Sequence, residues 1–169
     1  GQPAFDTLVN TVQEKISISG TVNAIKNNAN GVNAVGGNLY FISPKGMVVG
    51  SSGVINAGAL TMIVSYVNFS SADPTISPAD AAATAVTNNS WGNIVQLTAE
   101  GQPVGIDIQG QINTATGIDL RAAYINMTKS TDTGAPNPYL KTGMLFNTTV
   151  KADGLVDTVT LQGNRLAAA

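Results

Sequence analysis

The sequence predicts an all-β fold, a right-handed parallel β-helix (solenoid) with a short N-terminal cap helix and one extruded helical loop. Three observations point there. Aliphatic residues alternate with small polar ones over short runs, the period of a strand with one buried face. Several of these runs close on one corner pattern, a glycine followed shortly by an aliphatic residue and an asparagine. Charged residues make up only 11% of the 169, against roughly 25% in an average soluble domain. Asn, Thr, Ser, Gln and Gly take their place, which suits polar turns and stacked strands better than long amphipathic helices.

The repeating unit is visible in three copies and a faint fourth. It reads Ile16-Ser17-Ile18-Ser19-Gly20-Thr21-Val22-Asn23-Ala24, then Val48-Val49-Gly50-Ser51-Ser52-Gly53-Val54-Ile55-Asn56-Ala57, then Ile106-Asp107-Ile108-Gln109-Gly110-Gln111-Ile112-Asn113-Thr114. Gly31-Val32-Asn33-Ala34 is the faint one. Glycine permits a turn with positive φ. The asparagine beyond it can bond its own backbone or stack on the equivalent asparagine of the next coil. A single coil cannot cover its inner face, whereas stacked coils cover it and pair backbone with backbone.

Taken in order, residues 1–14 read as a cap, with Phe5, Leu8, Val9 and Val12 at helical spacing over 4–13 to cover the open end of the core. Residues 15–65 read as motif rungs, with strands at 15–25, a polar corner at 26–37, and strands at 38–43, 46–50, 53–56 and 58–68. Residues 66–102 interrupt the pattern as an extruded excursion. Within it Ser77 is the expected N-cap of a helix over 78–87, with Pro78 in the first position and Asp80 in the first turn. Residues 103–165 resume the rungs, at 94–99 already and then at 103–109, 111–114, 117–121 and 123–128. A Thr-, Asp-, Gly- and Pro-rich loop is expected at 129–138, and final strands near 140–150 and 155–162. The closing Leu166-Ala167-Ala168-Ala169 reads as a cloning remnant outside the fold. All of this makes one β-helix domain over 1–169.

Composition also narrows function. Net charge is −2 and no basic run occurs, so a nucleic-acid partner is not expected. The chain contains no cysteine and no histidine, which removes disulfides, thiolate metal sites and the commonest general base together. No cofactor or metal is expected. No apolar stretch approaches the roughly 20 residues that span a bilayer.

The most specific signal is Gly37-Asn38-Leu39-Tyr40-Phe41-Ile42-Ser43-Pro44-Lys45-Gly46-Met47-Val48-Val49-Gly50, followed by Gly53-Val54-Ile55-Asn56-Ala57-Gly58. Read residue by residue, Leu39, Phe41 and Ile42 fill a core and Ser43-Pro44-Lys45-Gly46 makes a tight turn with Pro44 second. Val48 leads back, and Gly50 and Gly53 turn corners before Ile55 and Asn56. This stretch resembles the haemagglutination-activity domain of filamentous haemagglutinin-type, two-partner-secreted proteins, and within that group the large leukotoxin-like filamentous adhesins. The lead-in Leu8-Val9-Asn10-Thr11-Val12 and Ile18-Ser19-Gly20-Thr21-Val22-Asn23-Ala24 also matches. The chain departs from the pattern in starting just before the motif, without a longer N-terminal cap, and in carrying the excursion.

The resemblance implies a secreted, surface-exposed bacterial adhesin. It further implies that an outer-membrane β-barrel transporter recognises the motif during export, and that the motif seeds folding outside the cell. Host-cell, glycan or neighbouring-cell surfaces would be its targets. The chain is expected not to be an enzyme. Two groups of side chains are nonetheless candidates for a surface site. Asp107, Asp119 and Arg121 should point outward from nearby strands, where polysaccharide-cleaving β-helical enzymes keep their acids; a solvated charge cluster or ion pair is the plainer reading. Tyr66, Phe69, Trp91 and Tyr124 are candidates for a carbohydrate or partner surface, although a loop aromatic such as Trp91 more often packs its loop down on the solenoid. The alternative function is a β-helical polysaccharide lyase or hydrolase, or a phage spike-like glycan-binding protein.

Overall fold

The computed structural model describes residues 5–27, 30–67, 69, 75–127, 146–148, 158–162 and 165–168. The chain is mostly β, with parallel sheets of which one is curled. The first elements are β1 (Thr7–Thr11), β2 (Ile16–Ile18), β3 (Thr21–Asn23), β4 (Ile25–Asn27), β5 (Asn33–Val35), β6 (Asn38–Ile42), β7 (Met47–Val49) and β8 (Val54–Ile63). After the helix α1 (Pro78–Asn88) come β9 (Gly105–Ile108), β10 (Gln111–Arg121), β11 (Tyr124–Met127), β12 (Phe146–Thr148), β13 (Thr158–Gln162) and β14 (Arg165–Ala168).

Among the described residues, apart from the antiparallel hairpin of β4 and β5, every paired strand lies parallel to its neighbours in one of three columns. The first runs β1, β6, the second half of β8, the second half of β10, then β13. The second runs β2, β7, β9, β11, β14. The third runs β3, the first half of β8, the first half of β10, then β12. The chain visits the columns in this order on each pass. Strands β8 and β10 each finish one pass and begin the next, β10 through a register shift between Thr114 and Gly117.

Alternation decides what lies between the columns. Leu39, Leu60 and Ile118 are in register and buried, as are Met47, Ile106 and Ile125, and Ile55 and Ile112. With Met62, Leu120, Val49 and Ile108 they form one continuous apolar cluster. Each such side chain removed from water contributes about 1.5–3 kcal/mol before entropy is charged.

The asparagines of the corners stack as the repeat suggests, but its glycines act differently from expectation. Gly20, Gly50, Gly53 and Gly110 do not take a positive φ, which only Gly31 of the faint copy adopts. At Gly53 and Gly110 it is close backbone approach that excludes a side chain. A Cβ on Gly53 would lie 2.5 Å from the Ile18 carbonyl oxygen, and one on Gly110 would meet the Gly53 carbonyl oxygen. Only glycine admits that approach. Asn56 donates its side-chain amide to Asn23 Oδ1 at 2.7 Å, and Asn113 donates to Asn56 Oδ1 at 2.6 Å. These partners are 33 and 57 residues apart in sequence, because the excursion intervenes in the second interval. Asn147 continues the register.

Several expectations need correction. Residues 7–11 form β1 rather than part of a cap helix over 4–13: Leu8 and Val9 suit either period, and the edge of β6 offers five in-register partners that a helix would leave unpaired. The polar corner at 26–37 is the hairpin β4–β5. No regular strand occupies 94–99; Ile94 makes a single bridge to Ser65, and Leu97 one to Pro103. The strand expected over 58–68 ends at Ile63. Leu166, Ala167 and Ala168 lie inside β14, in register with Ile125, Asn126 and Met127, and so belong to the fold. The loop expected at 129–138 lies outside the described residues. The helix agrees with expectation: Ser77 Oγ accepts from the Asp80 amide at 3.1 Å and donates to Asp80 Oδ2 at 2.7 Å.

Candidate binding surface

The alternation that turns Leu39 and Phe41 toward the interior turns Tyr40 and Ile42 outward. Ile42 is 1% exposed, yet it belongs to a second apolar cluster with Ile63 and Trp91 rather than to the interior. Two adjacent strand residues cannot face the same side, so Phe41 and Ile42 do not fill one core. Cover for the outer patch comes from the excursion. Trp91 is 5% exposed and stacks on Tyr40, with ring centroids 5.2 Å apart and planes 30° apart. Ala85 and Val86 of α1 and Val67 pack against the same cluster.

Polar groups fix this cover. The buried Ser65 hydroxyl lies 2.7 Å from the Trp91 carbonyl oxygen and 2.9 Å from that of Asn93. Asn89 ends α1 in the left-handed region, at φ 51°, and its side-chain oxygen accepts from Trp91 Nε1 at 3.0 Å. Gly92, at φ +73°, lets the returning chain pass the Tyr66 carbonyl. Beside this seam lies a cleft of about 380 Å³, lined among others by Tyr66, Phe69, Thr84, Asn88, Ser90 and Trp91. Tyr66 is 69% exposed. Of the aromatic candidates, then, Trp91 anchors the excursion while Tyr66 faces solvent. The sequence reading missed Thr84 and Asn88, although their spacing of four on a helix places them on one face.

The charged candidates separate. Asp119 and Arg121 stand on the outward face of β10 in the first column, where Arg121 Nε lies 3.0 Å from Asp119 Oδ1. The carboxylate raises the guanidinium pKa above its ordinary value, against the opposing effect of burial. Asp107 stands on β9 in the second column and accepts from Tyr124 Oη and Asn126 Nδ2, each at 3.3 Å. Burial first, and then Asp107, raise the Tyr124 phenol pKa. Asp107 and Asp119 thus occupy different sheets. Among the described residues no cluster of three or more His, Cys, Asp or Glu could hold a metal ion.

The motif residues are distributed by structural task. Asn38 donates its amide to the Asp6 carbonyl at 2.8 Å. Pro44 is buried in the turn, and Gly46 adopts φ +82° where a Cβ would lie 2.7 Å from the Gly105 carbonyl oxygen. Ser43 Oγ donates to the Glu14 carbonyl at 2.8 Å, tying this turn to the preceding pass. Val48 faces outward between Ser17 and Asp107. Gly50 donates its amide to Ile18 at 2.9 Å, and Gly53, Ile55 and Asn56 form the next corner. Comparisons with protein-family models, curated proteins and solved structures return no significant match.

Proposed function

We propose that the chain is a right-handed parallel β-helix and a non-catalytic, N-terminal-type segment of a secreted or surface-exposed bacterial filamentous adhesin. The observation that carries this reading is the three-column parallel register, with the stretch 37–58 supplying the second pass. Parallel columns that repeat in one order make a stiff stalk, because each pass is held by backbone pairing above and below. Such a stalk extends contacts away from a cell, and its excursions present them. The motif strands would be the part met by an outer-membrane β-barrel transporter, with the transporter pairing to or releasing the chain before its columns close.

Attachment tests this reading. Beads coated with the purified chain should bind host epithelial cells or bacteria saturably, and soluble chain should compete. Absence of saturable attachment to either cell type contradicts the adhesive role. Turnover of glycans that disappears in Asp107→Ala or Asp119→Ala would replace it with a polysaccharide-cleaving role.

A further inference from the structure

The cleft beside the excursion has a composition of its own. It combines an exposed aromatic ring, Tyr66, with a buried one, Trp91, and sets them near the amide of Asn88 and the hydroxyls of Thr84 and Ser90. None of the described residues lining it is charged. Its volume of about 380 Å³ lies in the range of small-ligand sites, roughly 300–1,000 Å³, which join apolar walls to a few placed polar groups. Rigidity is built in from below: Tyr40 stacks under Trp91, Asn89 holds the indole N–H, and Ser65 holds the loop backbone. A wall that is already ordered loses little entropy on binding.

We infer that this cleft binds a neutral saccharide. A sugar ring offers an apolar C–H face that stacks on an aromatic ring, and a rim of hydroxyls that exchange hydrogen bonds with amide and hydroxyl groups. The exposed ring of Tyr66 meets the first requirement, with the buried Trp91 only backing the cleft, and Asn88, Thr84 and Ser90 meet the second. Sialylated or sulfated glycans carry negative charge and call for Lys or Arg, which the described lining lacks. The inference rests on the adhesive reading for its setting, and it names the class of ligand that the excursion would present to.

A glycan array carrying neutral galactose- and N-acetylglucosamine-terminated, sialylated and sulfated oligosaccharides tests it, alongside the cell-attachment assay. Wild-type chain should bind neutral glycans. Tyr66→Ala should weaken that binding by about tenfold or more, the loss typical of an anchoring aromatic, with thermal melting unchanged. Titration with the bound oligosaccharide should shift the emission of Trp91, the only tryptophan. If Tyr66→Ala melts early, Asn88→Ala, at the exposed end of α1, provides the same reading with lower fold risk. Binding confined to sialylated or sulfated glycans overturns the inference, as does neutral-glycan binding that neither substitution changes. Cell attachment that protease treatment of the cells abolishes, with no glycan bound, also overturns it while leaving adhesion standing. Loss of both glycan binding and attachment would remove the adhesive reading as well.

Discussion

The ladders between the three columns and the patch outside the first column are both apolar and both buried, yet different contacts keep them dry. Inside, each aliphatic side chain meets its counterparts from the passes above and below, so burial is shared by segments distant in sequence. Outside, Ile42 and Ile63 are covered by one excursion that is pinned through Trp91, Ser65 and Asn89. Removing a contact of the first kind weakens every pass. Removing one of the second kind releases a single segment, because stability is distributed unevenly across a structure. The fold therefore separates a load shared by the whole stack from a locally attached surface that can vary.

The largest effect should come from the interior. Leu60→Ala, between Leu39 and Ile118, should lower global stability by about 2–5 kcal/mol, read from denaturant unfolding. A loss under about 1 kcal/mol would mean that the ladder is not the shared core. Next is the outer anchor. A tryptophan deleted from a core costs about 3–5 kcal/mol, but Trp91→Ala should cost the global transition only about 1–2 kcal/mol because the excursion opens locally. Hydrogen exchange should show α1 amides losing protection while those of β7 and β9 keep theirs; equal loss in both places would erase the distinction between the regions.

Smaller still is the asparagine ladder on the outer corner. Asn56→Ala removes its bonds to Asn23 and Asn113 and should cost about 1 kcal/mol, since water reaches this partly exposed site and replaces part of the loss. The smallest effect concerns Tyr124. Its folded pKa lies above the ordinary value of 10.0, through burial first and Asp107 second. The neutral phenol therefore contributes stability that is present below that ordinary value and lost as pH rises through the raised one. Asp107→Asn should lower the pKa but leave it raised, because burial remains; an alkaline absorbance titration of the tyrosines, compared with Tyr124→Phe, checks this.

The same two regions mark how far the sequence could be read. The interior was legible because strict alternation in Ile16-Ser17-Ile18 and Ile106-Asp107-Ile108 has a single solution, aliphatic in and polar out. The corners were legible because a Gly-to-Asn pattern recurs, and the structure sets Gly110 over Gly53 and links Asn23, Asn56 and Asn113. The helix announced itself through Ser77, Pro78 and Asp80. The outer patch was hidden: in the run Leu39-Tyr40-Phe41-Ile42 every residue is apolar, so nothing local distinguishes inward from outward. Only the excursion, which returns from α1 to cover Tyr40 and Ile42, settles the facing. The first strand was misread for a similar reason, since its partner lies far along the chain and local spacing alone favoured a helix. The hairpin β4–β5 stays hidden because its strands have three residues each and Gly31-Val32-Asn33-Ala34 reads as a faint copy of the corner pattern.

The central claim is that distant segments lie parallel and in register in repeating columns, and the absence of cysteine allows a clean test. Paired residues on adjacent parallel strands, about 5 Å apart, fall within the reach of a disulfide. The double variant Asn56→Cys/Asn113→Cys should therefore oxidise readily to an intramolecular crosslink in the folded chain. The pair Asn56→Cys/Gln111→Cys, displaced by two residues along the strand, should not. Equal crosslinking of the two pairs, or none in the first, would contradict the parallel register.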